Sequence, residues 1–250
     1  MSNKVIWITG ASTGIGKAIA IKFSKNGWNV AISARRLELL EEISKQNQNV
    51  FSFPLDVTNK DDCHKVFTEI KNKLGKIDLC VFSTGTWDPK KEKEIDVEQI
   101  ENVMKVNFFG TLNSIKSVEK YFKDLGKGHI SIVSSIAGYR GLPNSTGYGP
   151  SKSALNNLTE SLYFDFKRYG VRVSLISPGF IKTPMTDKNK FKMPFLMSAK
   201  DAAQRIYKKL SSKDFEIYFP KRLIIPMKIL QILPNKIYFY IMKKITKFSQ

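Results

Sequence analysis

Short apolar runs alternate with amphipathic stretches along most of the 250-residue chain. The runs are rich in valine, isoleucine and phenylalanine and end near glycine, asparagine or proline, which is typical of buried strands. Between them, apolar residues recur at helical spacing, as on one face of an amphipathic helix. The predicted strands cover residues 4–9, 29–33, 49–54, 77–82, 129–134, 171–176 and 215–219, and the predicted helices cover residues 14–26, 36–46, 61–74, 97–125, 151–169 and 201–210.

This alternation of strand and helix predicts an α/β fold. A strand followed by a helix and a second strand forms a right-handed βαβ unit, and a series of such units gives a parallel sheet covered on both faces. We therefore expect a Rossmann-type, doubly wound and mostly parallel seven-stranded sheet with helices on both faces. No linker interrupts the pattern, so one domain is predicted over residues 1–220, followed by an extension over residues 221–250.

The chain is strongly basic, with 41 lysines and arginines against 22 acidic residues and a formal net charge of +19. Most lysines fall on predicted solvent-facing sides of helices, and no nucleic-acid-binding module is recognisable, so nucleic acid is not an expected partner. Cys63 and Cys80 are far apart, which favours a reducing compartment over a disulfide scaffold. No apolar stretch has the form of a signal peptide or the length of a membrane span, so the protein is predicted to be cytoplasmic.

A glycine-rich loop joins the first predicted strand to the first predicted helix, with the sequence T-G-A-S-T-G-I-G at residues 9–16. Glycines permit a tight turn and let backbone N–H groups approach a pyrophosphate, which the positive end of the helix attracts. The loop therefore predicts a dinucleotide site. The residues expected to contact the cofactor here are Gly10, Ser12, Thr13, Gly14, Ile15 and Gly16.

Two adjacent arginines follow the second predicted strand, at Arg35 and Arg36. An NAD site places an acidic residue near this position for the ribose 2′-hydroxyl, whereas an NADP site places arginine there for the 2′-phosphate. A guanidinium group can bond two phosphate oxygens at once. The pair therefore predicts NADP(H) as the cofactor.

A serine and a tyrosine–lysine pair are the candidate catalytic groups. Ser135 follows the fifth predicted strand, and Tyr148 and Lys152 stand four residues apart, on one side of a helix. An ammonium group beside a phenol is expected to lower the phenol pKa, so that Tyr148 exchanges protons near neutral pH. The two histidines, His64 and His129, lack ligand spacing, so no metal site is expected.

With these motifs in this order, the chain resembles the short-chain dehydrogenase/reductase superfamily over residues 4–185. Three further segments match the family: the D-V pair at 56–57, Asn107 as the fourth catalytic residue, and P-G-x-x-x-T at 178–183. One segment departs from the family, because residues 82–85 read F-S-T-G where the family has N-N-A-G. In the family the first asparagine ties neighbouring strands together, so Phe82 at this position puts that structural bond in doubt. The resemblance adds Asp56, Val57, Gly85, Asn107, Tyr148, Lys152, Pro178, Gly179, Ile181 and Thr183 to the expected cofactor contacts.

The resemblance implies an enzyme that moves a hydride between a nicotinamide and a carbonyl or hydroxyl carbon of a small molecule, and that assembles as a homodimer or homotetramer. Tyr148 would protonate the substrate oxygen, and Ser135 would hold that oxygen. Lys152 would lower the pKa of Tyr148, and Asn107 would bend its helix and anchor a water. A catalytically silent NADP(H)-binding regulator and a membrane-surface scaffold on the same fold are the alternative functions.

In the family, residues 184–200 form a substrate lid. Met185, Met193, Phe195, Leu196 and Met197 favour an apolar ligand, or else they pack the lid onto the body. The extension that follows carries seven basic residues and no acidic one, and Pro234 divides it into two predicted helices. A stripe of Ile237, Tyr240, Ile241, Ile245 and Phe248 is predicted on the second helix, which suits either contact with an anionic membrane surface or packing on the protein.

Overall fold

The computed structural model describes residues 4–87, 95–189 and 191–246. The strands in these ranges are β1 (Val5–Thr9), β2 (Asn29–Ala34), β3 (Val50–Pro54), β4 (Leu79–Phe82), β5 (Gly128–Val133), β6 (Val171–Pro178), β7 (Ile181–Lys182), β8 (Met197–Ser198) and β9 (Glu216–Phe219). Seven of them form one parallel sheet in the order β3-β2-β1-β4-β5-β6-β9, and the short strands β7 and β8 form a separate pair. The predicted Rossmann-type architecture is confirmed.

Nine α-helices lie in the described ranges: α1 (Gly14–Ser24), α2 (Leu37–Lys45), α3 (Lys60–Leu74), α4 (Val97–Met104), α5 (Gly110–Leu125), α6 (Tyr148–Lys167), α7 (Ala199–Leu210), α8 (Lys221–Ile232) and α9 (Asn235–Thr246). One hydrophobic cluster joins α3, α5 and α6 to one face of the sheet, and a second joins α1, α2 and α7 to the other. The sheet therefore has apolar side chains on both faces, as a doubly wound parallel sheet requires.

The predicted helix over residues 97–125 is wrong in one respect. A π-helical segment, Lys105–Phe109, separates α4 from α5 and contains Asn107 at its centre. A π turn inserts one extra residue into the helical repeat and often marks a functional site. Hydrophobic periodicity does not reveal such a turn, because the apolar face continues through it.

Phe82 occupies the position at which the chain departs from the family that it resembles. The side chain is buried, and its ring meets Trp7 edge to face with the centroids 5.7 Å apart. The indole N–H of Trp7 donates to Ser33 Oγ at 2.9 Å. Neighbouring strands are thus joined at this point by aromatic packing, where the resemblance led us to expect an amide hydrogen bond.

The extension folds back onto the body as α8 and α9. Their inner residues, among them Ile224, Met227, Tyr238 and Met242, join a third hydrophobic cluster with Ile136 and Tyr139 from the segment after β5. Pro234 separates the two helices, as predicted. The predicted stripe on α9 does not lie on one side of the helix: Ile237, Tyr240 and Ile245 are exposed, whereas Ile241 is partly buried against the third cluster beside the buried Tyr238 and Met242. Phe248 lies outside the described residues.

Polar contacts secure the same junction. Arg140 Nη1 donates to the carbonyl oxygens of Leu230 at 2.6 Å and Leu233 at 2.7 Å, and its guanidinium lies 3.9 Å from the ring centre of Tyr238. These contacts cap the carboxyl end of α8, where backbone carbonyls lack helical partners.

None of the helices in the described ranges combines the length and the apolar character that crossing a bilayer demands.

We expect Arg140→Ala to loosen the extension without unfolding the sheet. Hydrogen bonds from a charged donor contribute about 2 kcal/mol, so their loss should raise the fraction of molecules with a detached extension about 30-fold. Trypsin cleaves the detached form, so cleavage within residues 221–246 should become faster by the same factor. The fragments are measured by mass spectrometry over time. Arg168→Ala is the control, because its ion pair with Asp165 is exposed and contributes little. Equal rates for the two variants would contradict the capping role.

Candidate active site

A cleft of about 390 Å³ opens at the carboxyl edge of the sheet. This is where open α/β sheets bind ligands, because loops diverge there on either side of the first strand. Every predicted site residue except Asn107 lines the cleft. Those residues are Gly10, Ser12, Thr13, Gly14, Ile15, Gly16, Arg35, Arg36, Asp56, Val57, Gly85, Ser135, Tyr148, Lys152, Pro178, Gly179, Ile181 and Thr183.

The glycine-rich loop forms one end of the cleft. Gly10 has a φ of +66°, and a Cβ there would lie 2.7 Å from the Thr84 Cα; a Cβ on Gly16 would lie 2.4 Å from the Gly10 carbonyl oxygen. Neither position therefore accepts a side chain. Thr13, at the N-cap of α1, makes no side-chain capping bond, and the first turn of α1 has no acidic residue. Unpaired N–H groups and the helix dipole favour an anion here.

Two arginines stand beside this loop. Arg36 Nη2 donates to Ser12 Oγ at 3.0 Å, which brings its guanidinium onto the loop, and Arg35 is exposed at the rim of the cleft. Burial tends to raise the pKa of Asp56, but hydrogen bonds from Thr58 and the charge of Arg35 act against it, and the pKa ends below its usual value. The sheet edge thus carries clustered positive charge where the sequence predicts the 2′-phosphate.

Ser135 and Tyr148 both line the cleft. Ser135 follows β5, Tyr148 is the first residue of α6, and their side chains are hydrogen-bonded. Burial raises the pKa of Tyr148, and the bond with Ser135 acts in the opposite direction. The causes of the shift are burial and the bond with Ser135, and Lys152 is not one of them, so the lowering of this pKa by Lys152 stays a prediction.

Lys152 lies one helical turn beyond Tyr148 and is only 4% exposed. Its Nζ donates to the Val133 carbonyl oxygen at 3.0 Å and lies 5.6 Å from the centre of the Tyr148 ring. Burial lowers the pKa of Lys152 to about 8, because the charged form loses solvation. An amine with this pKa exchanges protons readily near neutral pH.

Asn107 lies behind the cleft and is fully buried. Its Nδ2 donates to Ser151 Oγ at 2.9 Å and to the Thr86 carbonyl oxygen at 3.1 Å, and its Oδ1 accepts from the Thr86 N–H at 2.7 Å. A Cβ placed on Gly85 would lie 3.6 Å from both Asn107 Oδ1 and Lys152 Nζ. Asn107 therefore ties the π-helical segment to the loop after β4 and to α6, close to the lysine amine.

Sequence reasoning missed several residues at this site. Thr86 and Ser151 hold Asn107, and the Trp87 ring lies 5.9 Å from that of Tyr148. The hydroxyl of Thr84 and the indole N–H of Trp87 are buried with no hydrogen-bond partner in the described parts of the chain. No spacing in the sequence points to these residues, because only the fold brings them to the cleft.

Comparison with known proteins identifies similar sequences. Residues 4–193 match the short-chain dehydrogenase family. An uncharacterized oxidoreductase of Myxococcus xanthus is 33% identical over 242 residues, which cover 95% of this chain and 96% of that protein. An uncharacterized oxidoreductase of Staphylococcus epidermidis is 34% identical over 192 residues, 76% of this chain and 84% of its own length.

Solved structures agree with this similarity. A structure described as ElxO with NADP bound has a TM-score of 0.78 and 27% identity, covering 86% of this chain and 97% of ElxO. A short-chain dehydrogenase from Streptomyces avermitilis has a TM-score of 0.81 over 100% of this chain and 99% of its own, at 20% identity. The second match concerns the fold alone.

Proposed function

The chain belongs to the short-chain dehydrogenase family, and we propose that it is an NADP(H)-dependent oxidoreductase that interconverts a carbonyl and a hydroxyl group. The observation that carries the proposal is the hydrogen-bonded Ser135–Tyr148 pair beside the buried amine of Lys152, in a glycine-lined cleft. These groups suit proton transfer to an oxygen atom, and they lie where the fold places a dinucleotide.

The residues present fit an NADP(H) molecule. A pyrophosphate suits the glycine-rich loop, because Gly10 and Gly16 leave free the space that a Cβ would fill and the start of α1 has no side-chain cap. Arg35 and Arg36 suit the 2′-phosphate, and ElxO, which is similar to this chain, binds NADP in its solved structure. When bound, the cofactor supplies the hydride, and the protein supplies position, charge and protons.

The proton is delivered by Tyr148. Ser135 and Tyr148 are close enough to share a hydrogen bond, so a carbonyl oxygen that lies against both hydroxyl groups accepts from each of them in place of their mutual bond. As negative charge develops on that oxygen, the phenol proton moves to it and the product is a hydroxyl group. Because burial keeps the pKa of Tyr148 high, the phenol holds its proton until the substrate oxygen becomes a stronger base.

Lys152 and Asn107 return the proton. The pKa of Lys152, about 8, lets its amine donate a proton toward the phenolate and recover one from solvent. Asn107 holds the loop after β4 and α6 at fixed positions, and we propose that a water anchored there links Lys152 to bulk solvent. Asn107 is thereby a positioning residue.

An apolar or lipid-like substrate is favoured by the lid. Met185 lines the cleft, while Phe195 and Leu196 are 52% and 43% exposed. Met197 packs against the second hydrophobic cluster, but packing accounts for only about half of the surface of Phe195 and Leu196. Partly exposed apolar side chains on the segment that follows the cleft residue Met185 suit a ligand with a large apolar portion.

Steady oxidation of NADPH with a panel of ketones and aldehydes of increasing chain length tests the proposal. We expect turnover that rises with the apolar size of the substrate. NADPH binding without turnover on any carbonyl compound would favour the catalytically silent regulator.

A homodimer or homotetramer in the cytoplasm remains our prediction for the assembly, to be measured by sedimentation velocity.

A further inference from the structure

The outer sides of α8 and α9 are unusually apolar for a protein surface. Both helices bury their inner residues in the third hydrophobic cluster, so the opposite sides face away from the body. We call this outer surface the tail face. Its large apolar side chains, each more than 45% exposed, are Ile225, Ile229, Ile232, Ile237, Phe239, Tyr240 and Ile245. A patch of this kind marks an interaction site.

Basic side chains are interspersed with these apolar ones. Lys221, Arg222, Lys236, Lys243 and Lys244 are exposed, and none forms an ion pair within the described ranges. The remaining cation of the two helices, Lys228, pairs with Glu216 instead. Neither helix contains an acidic residue. The tail face is therefore both apolar and positively charged.

A second cleft, of about 420 Å³, connects the tail face with the substrate lid. Its lining consists of Phe195 from the lid, Arg205 from α7, and Pro220, Lys221 and Arg222 at the start of α8. Three cationic side chains thus lie beside an exposed aromatic ring, and none of the described residues in the lining is acidic. Such a cleft suits an anionic headgroup whose apolar chain lies against the ring.

Charge distinguishes between the possible occupants. A second copy of the chain, docked symmetrically through this face, would bring the same five unpaired cations against one another, at a chain net charge of +19. An anionic phospholipid surface instead offers negative charge to the basic residues and an apolar layer to the isoleucines and aromatics. The observations therefore favour the lipid.

We propose that the tail face docks on anionic phospholipid membranes, with a headgroup in the cleft between Phe195 and Arg222, and that docking brings the lid to the lipid surface. The exposed apolar side chains enter the interface, and the basic side chains lie at the level of the phosphates. Membrane docking is a separate property from the proposed reaction. Vesicle binding is measured without turnover, so a failure of the docking proposal and a failure of the proposed reaction can be told apart.

Co-sedimentation with vesicles tests the proposal directly. The full chain is mixed with vesicles of phosphatidylcholine alone, or of equal parts phosphatidylcholine and phosphatidylglycerol. We expect binding to the anionic vesicles at about 0.1 M salt and release of most of the protein at about 1 M, because the Debye length falls from about 10 Å to about 3 Å.

Matched variants locate the contact. Lys236→Gln, Lys243→Gln and Lys244→Gln together should weaken binding about 100-fold, because each basic residue near an anionic surface contributes about fivefold. The control, Lys45→Gln with Lys60→Gln and Lys65→Gln, removes the same charge from exposed positions on α2 and α3 and should bind as the unaltered chain does. Ile229→Ser with Ile232→Ser should weaken binding at both salt concentrations, because apolar insertion is not screened.

The opposite results are equally definite. Equal binding to both kinds of vesicle, or equal weakening by the tail and control variants, would overturn the proposal. Sedimentation velocity without lipid provides a further check on the Ile229/Ile232 variant. If that variant converts a dimer to monomers and the unaltered chain shows no preference for anionic vesicles, the tail face is a subunit interface.

Discussion

Tyr148→Phe is expected to reduce turnover by at least 100-fold while leaving NADPH binding largely intact. The substitution removes only the hydroxyl that shares a hydrogen bond with Ser135, and loss of a general acid or base costs about 10²–10⁴-fold in rate. The phenyl ring keeps its contact with Trp87, so the cleft keeps its shape. Steady-state NADPH oxidation gives the rate, and fluorescence titration gives the affinity.

The control for this variant is Tyr163→Phe, which removes a hydroxyl from the same helix. Tyr163 packs its ring against Phe215, 5.4 Å away, and its hydroxyl makes no contact with the cleft. It should therefore keep full activity. Retention of more than a tenth of the turnover by Tyr148→Phe would refute its assignment as the proton donor.

Replacing Arg35 and Arg36 together by alanine is expected to raise the KM for NADPH about 100-fold or more. Each bond from a guanidinium to a charged oxygen contributes about 1.5–3 kcal/mol, and two such residues are lost. NADH lacks the 2′-phosphate, so its KM should change little. The ratio of the two KM values therefore reports the phosphate contact alone, whatever happens to overall activity.

Two further variants separate the loss of the 2′-phosphate contact from a general loss of positive charge. Lys45→Ala with Lys65→Ala removes two charges from exposed positions outside the cleft and should leave the ratio unchanged. Ser12→Ala removes the hydroxyl that Arg36 contacts at 3.0 Å, and so tests whether that contact positions the guanidinium. Equal effects of the double arginine variant on both cofactors would show that the arginines shape the loop and do not bind the phosphate.

Much of the fold and of the candidate site could be predicted because their signals are local. The period of the apolar pattern predicts strand or helix over a few residues, and glycines between a strand and a helix mark a phosphate loop. Tyr148 and Lys152 stand four residues apart, so they share one side of any helix that contains them. Each of these inferences needs only neighbouring residues, and the structure places the glycine loop and Lys152 on the expected elements. It begins α6 at Tyr148, three residues before the predicted start of that helix.

Other features could not be predicted because they depend on burial or on contacts between distant segments. The π-helical segment around Asn107 is held by Thr86 and Ser151, which are 21 and 44 residues away. The pKa of Tyr148 is raised because the folded chain removes its hydroxyl from solvent. No spacing in the sequence encodes how much water remains around a side chain.

Adjacent residues are enough to predict the order of the seven strands of the main sheet, the glycine-rich loop, the arginine pair and the break at Pro234, because each of these follows from local chemistry. Contacts between distant segments select the buried side of α9, because Tyr238 meets Arg140 and the third hydrophobic cluster, and Tyr240 does not. A helix with apolar residues all round has no local preference between its sides. Packing against residues about 100 positions earlier in the chain makes that choice, and it leaves a basic, apolar surface outside.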